Sequence, residues 1–311
     1  LDTSMTPQER RSSASLALIF ALRMLGLFLV LPVFALEAAR YPGGDDPARI
    51  GLAMGVYGLT QAVLQFPFGW ASDRLGRKRV IVFGLVLFAA GSLLAAAATS
   101  VDGLLLGRAL QGAGAVSAAV TALLADQTRD IVRTKAMALV GASIGLMFAL
   151  SLVLAPLLVA AIGLTGLFVL TAGLALGGIA TVIWGVPPEP REHAEQPRGR
   201  LADVLRHAGL LRLNFGVFVL HAVQLAMWMA VPALLERAGL AKAHHWWIYL
   251  PAVLGSFVVM GGTLFPAERR GHLRAVFLSA IGLVALVQVG LLAAASGAPG
   301  LLPLGLLMFI F

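Results

Sequence analysis

The sequence contains no cysteine. A disulfide framework, a thiolate nucleophile and a thiolate metal site are therefore excluded. Charge is scarce as well. Asp, Glu, Lys and Arg make up 12% of the 311 residues, about half the share of a soluble domain. Nothing matches G-x-x-x-x-G-K-[ST], the loop that cradles nucleotide phosphates, so no ATP site is expected. No carboxylate pair, nucleophile–base set or metal-ligand cluster shares one depth along the apolar segments. That argues against an enzyme, and no metal or cofactor is expected. No small-residue cleavage site follows the first apolar run, so it does not read as a signal peptide.

What fills the sequence is apolar: 59% of residues are hydrophobic and the mean hydropathy is +0.91. Long apolar segments fall at 14–38, 48–71, 79–99, 102–126, 135–160, 164–186, 209–236, 244–265, 273–295 and 299–311. A bilayer core about 30 Å thick needs roughly 20 apolar residues per helix, and most of these runs reach that length. The fold class expected is an all-α polytopic membrane protein. The turn "IGLTG" is all that separates the fifth and sixth segments, and the last segment is too short to span.

Cations give the orientation. Seventeen of the 23 lie before the first segment or in the gaps after the second, fourth, sixth and eighth. Arg40, Arg49, Arg237 and Lys242 fall on the other side. Such asymmetry marks the cation-rich side, and the N-terminus with it, as cytoplasmic. It also accounts for the net charge of +8, so no nucleic acid is needed as a partner. The partner is the lipid bilayer.

The gap after the second segment reads "GWASDRLGRKR". Gly69 stands four residues before Asp73, on the same helix face, where it allows a neighbouring helix to approach closely. Asp73 sits at the membrane edge, where a carboxylate is costly unless paired. Arg77 is four residues on and can pair with it. Gly76 allows the tight reversal into the next helix, and Arg74 adds a further cation. Asp126, at the end of "TALLADQTRD", falls at the same edge. Arg77 between Asp73 and Asp126 would form a carboxylate–guanidinium–carboxylate set whose pairing can switch.

Several polar residues lie inside the apolar segments. Arg23 sits near the middle of the first, about 13 Å in at 1.5 Å per residue. An Arg at the helix centre costs at least about 2.5 kcal/mol, so it needs a partner or a wet cavity. Arg108 and Gln111 share a face three residues apart; Gln61 and Gln65, four apart, also share one and read equally well as interhelical hydrogen bonds. His221 and Gln224 share one side of the seventh segment; His221 reads as a proton relay or as a satisfied structural residue. His244, His245, Trp246 and Trp247 read as an interfacial aromatic belt. An internal echo links "GLFLVLPVFALEAA" with "QLAMWMAVPALLERAG", each with a proline (Pro32, Pro232) and a following Glu (Glu37, Glu236). Two such halves about an axis along the membrane normal are a transporter arrangement.

Gly69, Asp73, Arg74, Gly76 and Arg77 match motif A of the major facilitator superfamily, G-x-x-x-D-R-x-G-R-K/R, in the loop where that family carries it. Arg108-x-x-Gln111-Gly112 resembles its motif B. Ala142, Ser151, Ala155, Pro156 and Val159 stand where superfamily antiporters carry the glycines and proline of motif C; here the glycines are absent. The stretches "MTPQERR", "LRMLGLFLVLPV", "LGRALQGAGAVSAAV" and "RTKAMA" further resemble the YajR-like branch of proton-driven efflux transporters of bacterial inner membranes.

The resemblance implies two six-helix bundles, the second incomplete in this chain. The expected organisation is a cytoplasmic segment 1–13, a first bundle 14–186, a cytoplasmic linker 187–208 and a second bundle 209–311 that stops within its helix 10. It implies multi-pass placement in the inner membrane, with export of a small lipophilic or amphipathic compound coupled to protons. Gly69, Asp73, Arg74, Gly76, Arg77 and Asp126 would gate access, with Asp73 facing a helix N-terminus of the second half. Arg23, Gln61, Gln65, Arg108, Gln111, His221 and Gln224 would line or flank the central cavity. Metabolite uptake and a non-transporting membrane sensor or scaffold are the competing readings.

Overall fold

The computed structural model describes residues 4–189, 206–269, 272–297 and 300–311. Most of the linker expected at 187–208, with Arg191, Arg198 and Arg200, lies outside the described residues, as does Arg270. Ten α-helices are described: α1 (Pro7–Ala38), α2 (Pro47–Leu75), α3 (Arg77–Ala96), α4 (Val101–Ala113), α5 (Ser117–Asp126), α6 (Asp130–Ala180), α7 (Ala208–Arg237), α8 (Trp246–Arg269), α9 (Leu273–Ser296) and α10 (Leu301–Ile310). The described residues contain no strand.

Local chemistry sets the boundaries. α1 begins at Pro7, seven residues earlier than expected, because Thr6 and Glu9 form a reciprocal capping box. Asp46 caps α2, and Ser100 caps α4 through a 3.2 Å bond from Gly103 N. α6 runs on through a π-helical turn (Thr181–Gly185) and is broken at Gly163, with φ 68° and ψ −178°. Only glycine adopts that conformation at little cost, so the "IGLTG" turn is the reversal between two passes. Ala136 and Val140 from one arm pack in the same core as Val182 and Val186 from the other, which makes the arms antiparallel.

The expected helix 102–126 is a correction. It is two helices, α4 and α5, interrupted at 114–116. No proline marks the break. A Cβ on Gly114 would lie 2.4 Å from Gly84 O, and one on Gly112 2.2 Å from Tyr57 O. The chain is pressed backbone to backbone against α2 and α3, and the interruption turns the Gly114 carbonyl to a side chain on α1.

α1 packs along both arms of α6, and α3 and α2 close around α4. This first bundle meets the second through one shared core, in which Val30 and Phe34 of α1 touch the cluster of Trp228, Val231 and Leu235 of α7 and Tyr249 of α8. Pro32 and Pro232 lie buried in the two facing helices. An aromatic chain crosses the junction: Phe28–Phe148, Phe148–Trp228 and Trp228–Tyr249 ring centroids are 5.1, 5.9 and 5.3 Å apart, all edge to face. The junction lies toward the Glu37 end. Toward the N-terminal end, residues 208–222 of α7 are exposed except for Gly216.

Among the described residues six segments are long and apolar enough to cross a membrane; one is the interrupted α4–α5 pair taken together and another is the bent α6. Leu59, Val63, Leu106, Leu146 and Leu176 each leave more than half of their surface uncovered. In water such faces would be aggregation sites; in lipid they are the expected exterior.

Candidate functional site

At the rim nearest the N-terminus, α2 ends in Gly76, whose φ of 98° is open to glycine but strained for other residues. The reversal brings Arg77 back over α2. Its Nη1 donates to Asp73 Oδ1 and, at 2.8 Å, to Ser72 Oγ; its Nε donates at 3.1 Å to Asp126 Oδ2. The guanidinium is 12% exposed, against 60% for Asp73 and 36% for Asp126. Arg77 is thus the enclosed centre of the set, with Asp73 its open member.

Three other residues of the motif stand as follows. Arg74 lies over the Trp70 ring, 4.0 Å from its centroid, rather than on a carboxylate. A Cβ on Gly69 would meet only Ala118 Cβ at 3.8 Å, so the close helix approach expected there is not made among the described residues. Asp73 contacts its own turn, and no second-half partner for it is among the described contacts. The sequence reading also missed Glu189. Its carboxylate accepts from Arg77 N (3.0 Å) and Lys78 N (2.7 Å), capping α3 where Gly76 has no side chain to do so. Lys78 Nζ donates to Val186 O at 2.7 Å. The start of the linker is therefore fastened to this rim.

Deeper in the first bundle lie two buried arginines. Arg23, 1% exposed, donates through Nη1 to Ser117 Oγ (3.1 Å) and through Nη2 to Tyr57 OH (2.9 Å), Gln61 Oε1 (3.3 Å) and Gly114 O (3.4 Å). Its guanidinium also sits 5.5 Å from the Phe88 ring centre. Arg108, 2% exposed, donates to Gln111 Oε1 at 2.7 Å, and Gln111 Nε2 donates in turn to Ser92 Oγ at 2.8 Å. The Tyr57 ring lies 4.7 Å from the Arg108 guanidinium and Phe34 lies 5.8 Å away. Tyr57 therefore touches both arginines. Hydrogen bonds to a charged group are worth about 1.5–3 kcal/mol and a desolvated cation–π contact about 2, which offset part of the burial cost.

The remaining expected residues are dispersed. Gln65 Oε1 is buried with no partner. A cavity of about 170 Å³ opens beside the aromatic chain, lined by Phe148, Gln224, Trp228, Ser256 and Phe311 among others. Gln224 thus faces it. His221 is exposed and its Nδ1 lies 2.8 Å from Val217 O of its own helix, away from the cavity lining. His244 stacks on Trp247, 4.4 Å between ring centres, whereas His245 is buried against Tyr249 instead of joining a belt. Burial pushes the His245 imidazole down to about 4.

Two ion pairs were invisible in local sequence. Glu37, at the far rim, takes Lys242 Nζ from the turn before α8 and Arg40 Nη1 at 3.5 Å. Its side chain is 10% exposed and that of Lys242 18%, and this pair joins the two bundles. Glu9, buried at 5%, accepts from Arg129 N, Nε and Nη2 at 2.8–3.0 Å, tying α1 to the start of α6. The partners are 205 and 120 residues apart. The outward-end position of Glu37 and Lys242 was the one available signal.

Two bundles meeting through a shared core, with a braced arginine where the second helix turns into the third, define a class. Residues 16–311 match the Major Facilitator Superfamily, and the chain belongs to it. The chain is 45% identical over 292 residues to the inner membrane transport protein YajR of Escherichia coli K12, covering 93% of this chain and 64% of that protein. An uncharacterized transporter of Buchnera aphidicola subsp. Schizaphis graminum is 36% identical over 253 residues, 80% of this chain and 64% of that protein. The chain thus spans just under two thirds of the length of both relatives. A solved bacterial homolog of the human lysosomal transporter Spinster shares the fold, with a TM-score of 0.72 at 17% identity over 99% of this chain and 72% of that one.

Proposed function

We propose that the protein is a secondary active transporter of the bacterial inner membrane. It exports a small lipophilic or amphipathic compound in exchange for protons, and works by alternating access. The observation that carries this reading is the asymmetry of the two rims. At the Glu37 end a part-buried ion pair and a shared core hold the bundles together. At the Arg77 end Asp73 is mostly exposed and, among the described residues, paired only within its own bundle.

With the cation-rich side cytoplasmic, this arrangement is closed to the periplasm and open to the cytoplasm. In the opposite state the Glu37–Lys242 pair parts, and Asp73 leans on the second bundle. Arg77 keeps one carboxylate in either state, so the guanidinium never stands unpaired. Export itself rests on the likeness to the YajR-like branch.

The experiment uses inside-out vesicles containing the full-length protein. With an acid lumen they should accumulate amphipathic test compounds, and collapsing the pH gradient should stop it. Accumulation only in right-side-out vesicles would make the protein an uptake system. No gradient-driven flux in either orientation would remove the carrier reading.

A further inference from the structure

Arg23 and Arg108 have hydrogen bonds but, among the described residues, no counter-charge. Every acceptor that Arg23 meets is neutral: a serine, a phenol, an amide and a backbone carbonyl. Arg108 meets one amide and two rings. The Nε of each guanidinium is buried without an acceptor. All of residues 4–189 is described, and every carboxylate there lies at a helix end or in a turn: Glu9, Glu37, Asp45, Asp46, Asp73, Asp102, Asp126, Asp130 and Glu189. The middle of the first bundle therefore holds two positive charges and no negative one. Dipoles can solvate a guanidinium, but they do not neutralise it, and its field reaches far in a low-dielectric interior.

One of the two cations is held by side chains that reach the surface. Gln61 and Ser117, which hold Arg23, are only half-buried. Arg23 lies one side-chain layer beneath them, beside the interrupted backbone at 114–116. Arg108 and its partners Gln111 and Ser92 are all fully buried, so Arg108 adds field but not contact. A guanidinium with a free N–H and two displaceable neutral acceptors suits an oxygen acid, which accepts two parallel N–H bonds.

We propose that the transported compound is an organic anion, an amphiphile with a carboxylate or a comparable acid group, and that Arg23 binds that group with Gln61 and Ser117. The apolar part of the compound lies toward the aromatic chain of Phe28, Phe148 and Trp228. This rests on the transporter reading above and narrows its substrate class.

The test is direct binding to the full-length protein in nanodiscs of zwitterionic lipid, read by tryptophan fluorescence. The probes are decanoate, decanol and decyltrimethylammonium, which differ only in the head group. Decanoate should bind about tenfold more tightly than decanol, and the cation least. Arg23→Gln should erase the preference for decanoate while leaving decanol binding unchanged, and Arg23→Lys should restore part of it. If Arg23→Gln does not fold, Gln61→Ala and Ser117→Ala keep the charge and should each weaken decanoate alone, severalfold. Equal binding of decanoate and decanol, or a preference that survives Arg23→Gln, overturns the proposal. Gradient-driven flux without any acid preference also overturns it and leaves the carrier reading standing. Acid preference without flux upholds the binding site and removes the carrier.

Discussion

Arg77 contributes more through geometry than through charge. Exposed ion pairs are worth about 0–1 kcal/mol, and Asp73 is the exposed partner. The fork that reaches Asp73, Ser72 and Asp126 together is what a lysine cannot reproduce. Arg77→Lys should therefore lower stability by no more than about 1 kcal/mol while cutting flux severalfold; thermal unfolding and vesicle transport measure the two. His245 behaves differently. It sits in the turn before α8, buried, with its pKa held near 4 by desolvation and by Lys242 beyond the reach of the opposing Leu240 carbonyl. The unfolded side chain titrates near 6.5. Between those values the unfolded state binds the extra proton, so stability is present above pH 6.5 and falls as the pH drops toward 4. The loss should reach up to about 3 kcal/mol, and His245→Gln should flatten the profile of unfolding temperature against pH.

Helices in this fold are positioned by where a side chain is missing. A methyl group on Gly112 would strike the Tyr57 carbonyl and the Thr60 hydroxyl at 2.2 Å. Backbone cannot yield as a flexible side chain can, so Gly112→Ala should destabilise by about 1–3 kcal/mol. At Gly69 the same change meets open contact at 3.8 Å, and alanine favours helix by up to about 1 kcal/mol. Gly69→Ala should leave the unfolding temperature unchanged or higher. Reduced flux in that stable variant would locate the need for Gly69 in the other access state, and full flux would show that neither state needs it.

At the same scale lie the limits of the sequence. The length of the apolar runs was enough for most of the helices, the turn "IGLTG" for the reversal, and four-residue spacing for Asp73 with Arg77. The break at 114–116 was hidden because its cause is packing against Gly84 and Tyr57, not a proline. Tyr57 stands four residues before Gln61 on the same face, a signal that was present and unused. Glu9 with Arg129 and Glu37 with Lys242 pair across the fold, and no local pattern encodes such distances. His221 shared a face with Gln224, yet only Gln224 reaches the cavity, because a helix face turns past the lining within one turn.

For the molecule as a whole, the claim is that the rims at the two ends of the bundles open in opposition. Glu37→Gln removes a part-buried cross-bundle pair, so it should favour the state open at that rim, by about fivefold in population for a pair worth near 1 kcal/mol. The cysteine-free sequence makes distances measurable without background. Spin labels at Asp45→Cys with Ala241→Cys report the far rim, and labels at Arg79→Cys with Arg212→Cys report the near one, all four positions being exposed. The account predicts that Glu37→Gln lengthens the first distance and shortens the second in the full-length protein in nanodiscs. If both distances move together, or neither moves, the bundles do not rock and alternating access is contradicted.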